Sequence, residues 1–214
     1  AMTLSGSLSG FLHLPGYYSE ATQRKLLAGI SEIVAVAPLY TPTMPRSGRP
    51  MSVRMTNCGP LGWVTDKAGG YRYQATHPVT GAAWPAMPQS LLDLWQDVAG
   101  TPALPEACLV NYYGPTAKLG LHQDMDEEDR SAPVVSVSLG DDAWFRVGGL
   151  RRTDTTGRVL LKSGDVVVLG GAARMAFHGI DRILPGTSRL LMRASDLQGG
   201  RINLTLRRVS AIRG

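Results

Sequence analysis

The residues best suited to chemistry fall in two short stretches, LHQDMD and RINLTLR. In the first, His122 and Asp124 stand two apart. If the segment is extended, both side chains leave the same face about 7 Å apart at the Cα, near enough to converge on one ion. Two histidines and a carboxylate on one side of an octahedral ion leave its other positions for a cosubstrate and dioxygen, which is what an iron oxygenase requires. The third ligand would come from a neighbouring strand. Of the other histidines, His13 lies near the N-terminus, His77 precedes Pro78 in a loop, and His178 sits in the strand-like AFHGI, which makes His178 the natural candidate. The triplet alone does not decide the matter, because H-x-D arises by chance and a lone His in an apolar strand is more often a packing residue. Calcium is set aside, since the acidic run Asp124 to Asp129 lacks the glycine and closing glutamate of an EF-hand loop. Glu127, Glu128 and Asp129 read as a solvated loop, whereas Asp126 shares the parity of the ligands.

In the second stretch, alternation puts Arg201, Asn203, Thr205 and Arg207 on one face and Ile202, Leu204 and Leu206 on the other. An amphipathic edge strand would alternate too, but it usually shows mixed charges to water. Here two guanidiniums bracket an amide and a hydroxyl. The two arginines are about 20 Å apart in a fully extended strand, so they address the ends of a small dicarboxylate only if their side chains lean inward. Arginine suits that task because its planar fork pairs bidentately with carboxylate. A solvated strand remains the competing reading of this segment taken by itself.

Other elements must position these groups. Ser19 caps an expected helix carrying Leu26, Leu27, Ile30, Ile33 and Val34 on one face. A second helix is expected after Pro88, burying Leu91, Leu92, Leu94, Trp95 and Val98 and stopping at Gly100. Met51, Val53 and Met55 alternate as in a strand. Between them runs a long turn-rich loop with Trp63, Tyr71 and Tyr73, and loops of that length are usually functional or disordered. Beyond Cys108 come short β-type runs, CLVNYY, PVVSVSL, AWFRV, RVLLK, DVVVL, AFHGI and RINLTLRRV, which indicate a sandwich or barrel-like core.

At 214 residues and 43% hydrophobic content the chain can bury a substantial core. No apolar stretch approaches membrane-spanning length, and the N-terminal residues lack the basic and apolar regions of a signal peptide, so a soluble, cytoplasmic protein is expected. Ala1 ahead of Met2 reads as an expression scar. Cys58 and Cys108 lack zinc-site spacing and are expected as reduced thiols. A net charge of +5 favours a polyanionic partner.

The chain resembles the AlkB family of nucleic-acid demethylases from about Phe11 onward. The likeness is carried by MTNCGPLGW, WPAMPQS, CLVNYYGPTAKLGLHQDMDE, APVVSVSLG, GGLRR, SGDVVVLGG, FHGI and RINLTLR. Its specificity lies in H-x-D, a distant His and R-x-N-x-x-x-R occurring in that order. The lid segment AGGYRY departs from the shorter turn of the family.

This resemblance implies an α+β, mainly β fold: a double-stranded β-helix (jelly-roll) core with helices packed on one face and an N-terminal nucleotide-recognition lid. A single catalytic domain over 1–214 is expected, with the extension and lid at about 11–106 and the core at about 107–210. His122, Asp124 and His178 would ligate Fe(II). Arg201 with Tyr113 would bind the distal carboxylate of 2-oxoglutarate, and Arg207 and Asn111, assisted by Asn203, the end chelated to iron. Trp63 matches the residue that stacks on the methylated base, although it could simply pack under the loop. Asp126 falls near the substrate's exocyclic amine, and Tyr71 and Arg152 match lid and substrate-side positions. The implied activity is a direct-reversal alkylation repair: O2-dependent oxidative demethylation of 1-methyladenine and 3-methylcytosine in single- or double-stranded DNA, with RNA as a further substrate, by a monomer away from membranes. Arg46, Arg49, Arg54, Lys67, Arg72, Arg151 and Arg152 lie in or near loops where they could hold phosphates.

Competing expectations are a 2-oxoglutarate-dependent hydroxylase of a protein or small molecule, which would share the iron and cosubstrate motifs, and a non-catalytic nucleic-acid-binding module with a vestigial metal site. A zinc hydrolase would leave the arginine strand unexplained.

Overall fold

The computed structural model describes residues 8–194 and 197–211, so Ala1 and the rest of the N-terminal stretch fall outside the described residues. The N-terminal half holds β1 (Phe11–Leu14), α1 (Glu20–Val36), β2 (Val53–Cys58), β3 (Gly62–Val64), β4 (Arg72–Gln74) and α2 (Gln89–Val98). There follow β5 (Ala107–Tyr113), β6 (Leu119–His122), β7 (Val134–Gly140), β8 (Asp142–Val147), β9 (Gly157–Leu161), β10 (Val166–Leu169), β11 (His178–Leu184), the short helix α3 (Leu190–Ala194) and β12 (Arg201–Arg207). None of the described helices is long and apolar enough to cross a membrane.

Pairing is antiparallel throughout. Six strands form one sheet in the order β1-β10-β7-β12-β5-β2, four form a second in the order β6-β11-β8-β9, and β3 pairs only with β4. The expected closed jelly-roll is not found. Among the described residues the larger sheet ends at β1 and β2 and the smaller at β6 and β9, with no ladder joining them. An α+β fold of open antiparallel sheets with a few helices takes its place. Alternation tells which side chains share a face; it does not tell whether the outer N–H and C=O groups of an edge strand meet a second sheet, and closure depends on that.

Both faces of the larger sheet are covered, which explains its near-continuous apolar runs. Along β10, Val166 and Val168 join the cluster containing Leu26, Leu27, Ile30 and Ile33 of α1 and Leu91, Leu94 and Trp95 of α2. Val167 and Leu169 point the other way, toward Phe145, Ile180 and Ile183 of the smaller sheet. Ser19 caps α1 by accepting the Thr22 N–H, which satisfies one of the helix's orphan donors. The same period-two rule sorts β12. Ile202, Leu204 and Leu206 face the helices, which leaves Arg201, Asn203, Thr205 and Arg207 on the face toward the smaller sheet.

Candidate metal centre

His122 ends β6, His178 begins β11, and the two are register partners across the ladder. Gly179 permits this approach, because a Cβ there would lie 2.5 Å from the Leu119 carbonyl oxygen. Each imidazole Nδ1 lies 2.9 Å from a carbonyl of its own chain segment, Gly120 for His122 and Ala176 for His178. A carbonyl only accepts, so each Nδ1 carries a proton, which leaves Nε2 as the ring atom that can meet a metal. Burial, joined by the neighbouring His178, lowers the His122 pKa to about 4, which keeps it neutral.

Asp124 completes the set, although the strand has ended by then. Its Oδ1 lies 4.0 Å from His122 Nε2, its Oδ2 3.4 Å from His178 Nε2, and one ligand atom from each residue fits within a 4.8 Å span. Oδ2 is buried and has no hydrogen-bond partner among the described residues. Burial alone would raise this carboxyl, but Arg207 together with the neighbouring His178 and His122 outweighs it and holds the pKa well below the usual range. A carboxylate and two imidazole Nε2 atoms gathered within this span are the donors a divalent ion takes, so the set fits one. Among the described residues this is the one such group of His, Cys, Asp and Glu. The remaining histidines serve the scaffold. His13 pairs with Asp165 at 2.8 Å, while His77 contacts the Pro38 carbonyl at 2.7 Å and accepts the Val79 and Thr80 N–H groups.

The polar face of β12 lies beside this point. Arg207 donates to Asp124 Oδ1 at 2.9 Å and to the Tyr73 hydroxyl at 3.3 Å. Arg201 is 0% exposed, and among the described residues none of its guanidinium nitrogens has a hydrogen-bond partner. Burial lowers its pKa to about 10, with Tyr113, Asp165 and Asp142 pulling the other way. A buried cation with three unsatisfied nitrogens calls for an anion. Tyr113 is its register partner on β5, and Asn111 is the partner of Asn203, whose amide donates to Ser136 Oγ at 2.9 Å. Asn111 Oδ1 is another buried acceptor without a donor among the described residues.

Two cavities meet at the centre. A small pocket of about 60 Å³ between the sheets is lined by Asn111, Tyr113, His178, Asn203 and Arg207, and an open cleft of about 570 Å³ rises from His122 and Asp124 toward the β3-β4 hairpin. Trp63, Tyr71, Asp126 and Arg152 all line the cleft. The Trp63 ring stacks on Tyr71 with centroids 5.5 Å apart, and its indole N–H donates to Asp126 at 2.9 Å. Arg152 donates to the Leu121 carbonyl at 2.6 Å and lies over the Phe177 ring. Of the arginines expected to be free for phosphate, Arg72 and Arg151 are paired with Asp66 and Asp154.

The solvated reading of the acidic loop holds for Glu128 and fails for Glu127 and Asp129, which are 3% and 9% exposed. Glu127 accepts from Arg174 at 2.6 Å and from the Tyr73 hydroxyl at 2.8 Å. Sequence reasoning missed all three members of this contact as site neighbours. Its one available signal was an arginine in the small, apolar run GGAARM, an environment a cation enters only with a partner.

Two imidazoles and a carboxylate on one side of an open point define a metalloenzyme of the oxygen-activating, non-haem iron class. The 2OG-Fe(II) oxygenase superfamily matches residues 10–207. An alpha-ketoglutarate-dependent dioxygenase AlkB homolog of Caulobacter vibrioides is 50% identical over 199 residues, 93% of this chain and 87% of its own. AlkB of Escherichia coli is 46% identical over 187 residues, covering 86% and 83%. The solved structure of OsALKBH1 superposes with a TM-score of 0.81 at 32% identity, covering 93% of this chain and 96% of that one. The chain belongs to the AlkB family of Fe(II)- and 2-oxoglutarate-dependent dioxygenases.

Proposed function

We propose that this enzyme removes methyl groups from the Watson-Crick edge of nucleic-acid bases, 1-methyladenine and 3-methylcytosine in DNA first, within a single catalytic domain. The observation that carries the reading is the cleft itself, which runs from His122 and Asp124 to a stacked Trp63 and Tyr71. A flat aromatic wall near an oxidising centre suits a flipped base, and stacking supplies roughly 1–3 kcal/mol per base. A methylated, cationic base would gain further from the ring faces.

Bound iron, with 2-oxoglutarate and dioxygen, would supply the oxidising power to hydroxylate a methyl C–H bond. The hydroxymethyl adduct then releases formaldehyde, and 2-oxoglutarate leaves as succinate and CO2. In this reading His122, Asp124 and His178 hold the ion. Arg201 and Tyr113 take the distal carboxylate, for which the unpartnered guanidinium is the support. Arg207, Asn111 and Asn203 orient the end that faces the metal. Asp126 accepts the exocyclic amine of the base once it exchanges its bond with Trp63, while Tyr71 and Arg152 border the strand that carries it.

Mass spectrometry of a 1-methyladenine oligonucleotide incubated with enzyme, Fe(II), ascorbate and 2-oxoglutarate tests the proposal. Loss of one methylene's mass is expected. An unchanged oligonucleotide alongside brisk 2-oxoglutarate turnover would point to a protein or small-molecule substrate.

A further inference from the structure

Tyr73 lies on β4 directly opposite Trp63 on β3, so both side chains leave the same face of the hairpin. They reach consecutive acidic residues: Trp63 donates to Asp126 and Tyr73 to Glu127. The Tyr73 oxygen also accepts from Arg207. From there the bonds close into a ring. Arg207 holds the Asp124 carboxylate, Glu127 holds Arg174, and Arg174 returns to the Asp124 backbone carbonyl at 2.7 Å. Asp124, Glu127, Arg174 and Arg207 are all buried, and Tyr73 is the member that the hairpin contributes.

A phenol has one proton and two lone pairs, and here the proton is committed to Glu127 while a lone pair takes Arg207. Burial raises the phenol pKa, so the hydroxyl stays a donor across the working pH range. In so dry a ring, loss of one bond leaves a charged neighbour under-satisfied.

We infer that Tyr73 is a positioning residue: its hydroxyl ties the hairpin that carries Trp63 to Arg207 and Asp124, so the aromatic wall and the chelate side of the metal centre are set together. The significance of the wall rests on the base-demethylation reading, whereas the tie to Arg207 does not.

Tyr73→Phe keeps the ring and removes both bonds. The hairpin backbone should survive, because Asn57 holds Trp63 through two 3.0 Å bonds and Trp84 holds the Gln74 carbonyl. In anaerobic Fe(II)-loaded protein, Y73F is expected to bind 2-oxoglutarate about 10-fold more weakly, as for a lost hydrogen bond to a charged group. It should also move the visible charge-transfer band and raise KM for 2-oxoglutarate more than it lowers kcat. Wild-type affinity and an unmoved band would overturn the inference. If Y73F does not fold, proton NMR of the wild type with Zn(II) in place of iron decides. The Tyr73 hydroxyl proton should shift when 2-oxoglutarate is added, and an unshifted resonance overturns the tie. Failure of wild-type enzyme to bind a methylated oligonucleotide, with these effects intact, would count against the substrate reading alone.

Discussion

His122 and His178 face each other across β6 and β11 with ring centroids 4.4 Å apart and planes inclined by 53°, each ring fixed by a carbonyl two residues earlier in the chain. Both tautomers are thereby set for metal binding before an ion arrives. Replacing His178 with Ala should weaken Fe(II) binding by more than the roughly 10–100-fold that loss of a mere outer-shell partner costs. Equilibrium dialysis with metal analysis measures it; wild-type iron content in the variant would mean that the third ligand lies elsewhere.

Arg201, at the other end of the polar face of β12 from Arg207, gives a second prediction. If 2-oxoglutarate supplies the partner its guanidinium lacks, a 100-fold excess over Kd should add about 2.7 kcal/mol of stability, roughly 5–10 °C in Tm for a chain of this size. Arg201→Met should abolish that increment in a thermal scan of metal-loaded protein. An equal increment in the variant would show that the carboxylate binds elsewhere.

Trp63→Ala should weaken binding of a methylated oligonucleotide by about 10-fold, in line with the loss of one stacking face. Affinity for 2-oxoglutarate, for which we propose the other cavity, should stay within about twofold. Fluorescence anisotropy and calorimetry separate the two. Unchanged oligonucleotide affinity would reduce Trp63 to a packing residue of the hairpin.

Much of this geometry was legible from local patterns. The parity of RINLTLR put four polar residues on one face, and burial of the other face under two helices bears that out. Ser19 and the helix after Pro88 were readable because caps and amphipathic spacing are local signals. Asp124 was less so: β6 ends at His122, and Arg207 on its carboxylate and Arg174 on its backbone carbonyl place it rather than strand parity. Glu127 looked solvated because its partners Arg174 and Tyr73 stand 47 and 54 residues away, beyond any window of periodicity. Sheet closure was misjudged for a related reason, since edge pairing is a long-range property.

Stability toward acid should depend on Asp165. Burial would raise its carboxyl, but His13 and the N–H groups of Lys162 and Gly16 outweigh burial and depress the folded pKa. A depressed folded pKa contributes stability that is fully present above the unfolded value of about 3.9 and is lost as pH falls through the folded one. Urea unfolding of Asp165→Asn should therefore show a flatter decline in stability than wild type below about pH 4. Parallel curves would assign the acid sensitivity to other carboxylates.

Anaerobic titration of the protein with Fe(II) and then 2-oxoglutarate bears most directly on the union of triad and arginine strand. A weak visible charge-transfer band that saturates at one equivalent of each is expected from wild type and absent from His178→Ala. Iron binding without the band, or a band that persists when His178 is gone, would mean that these residues do not hold iron and keto acid together.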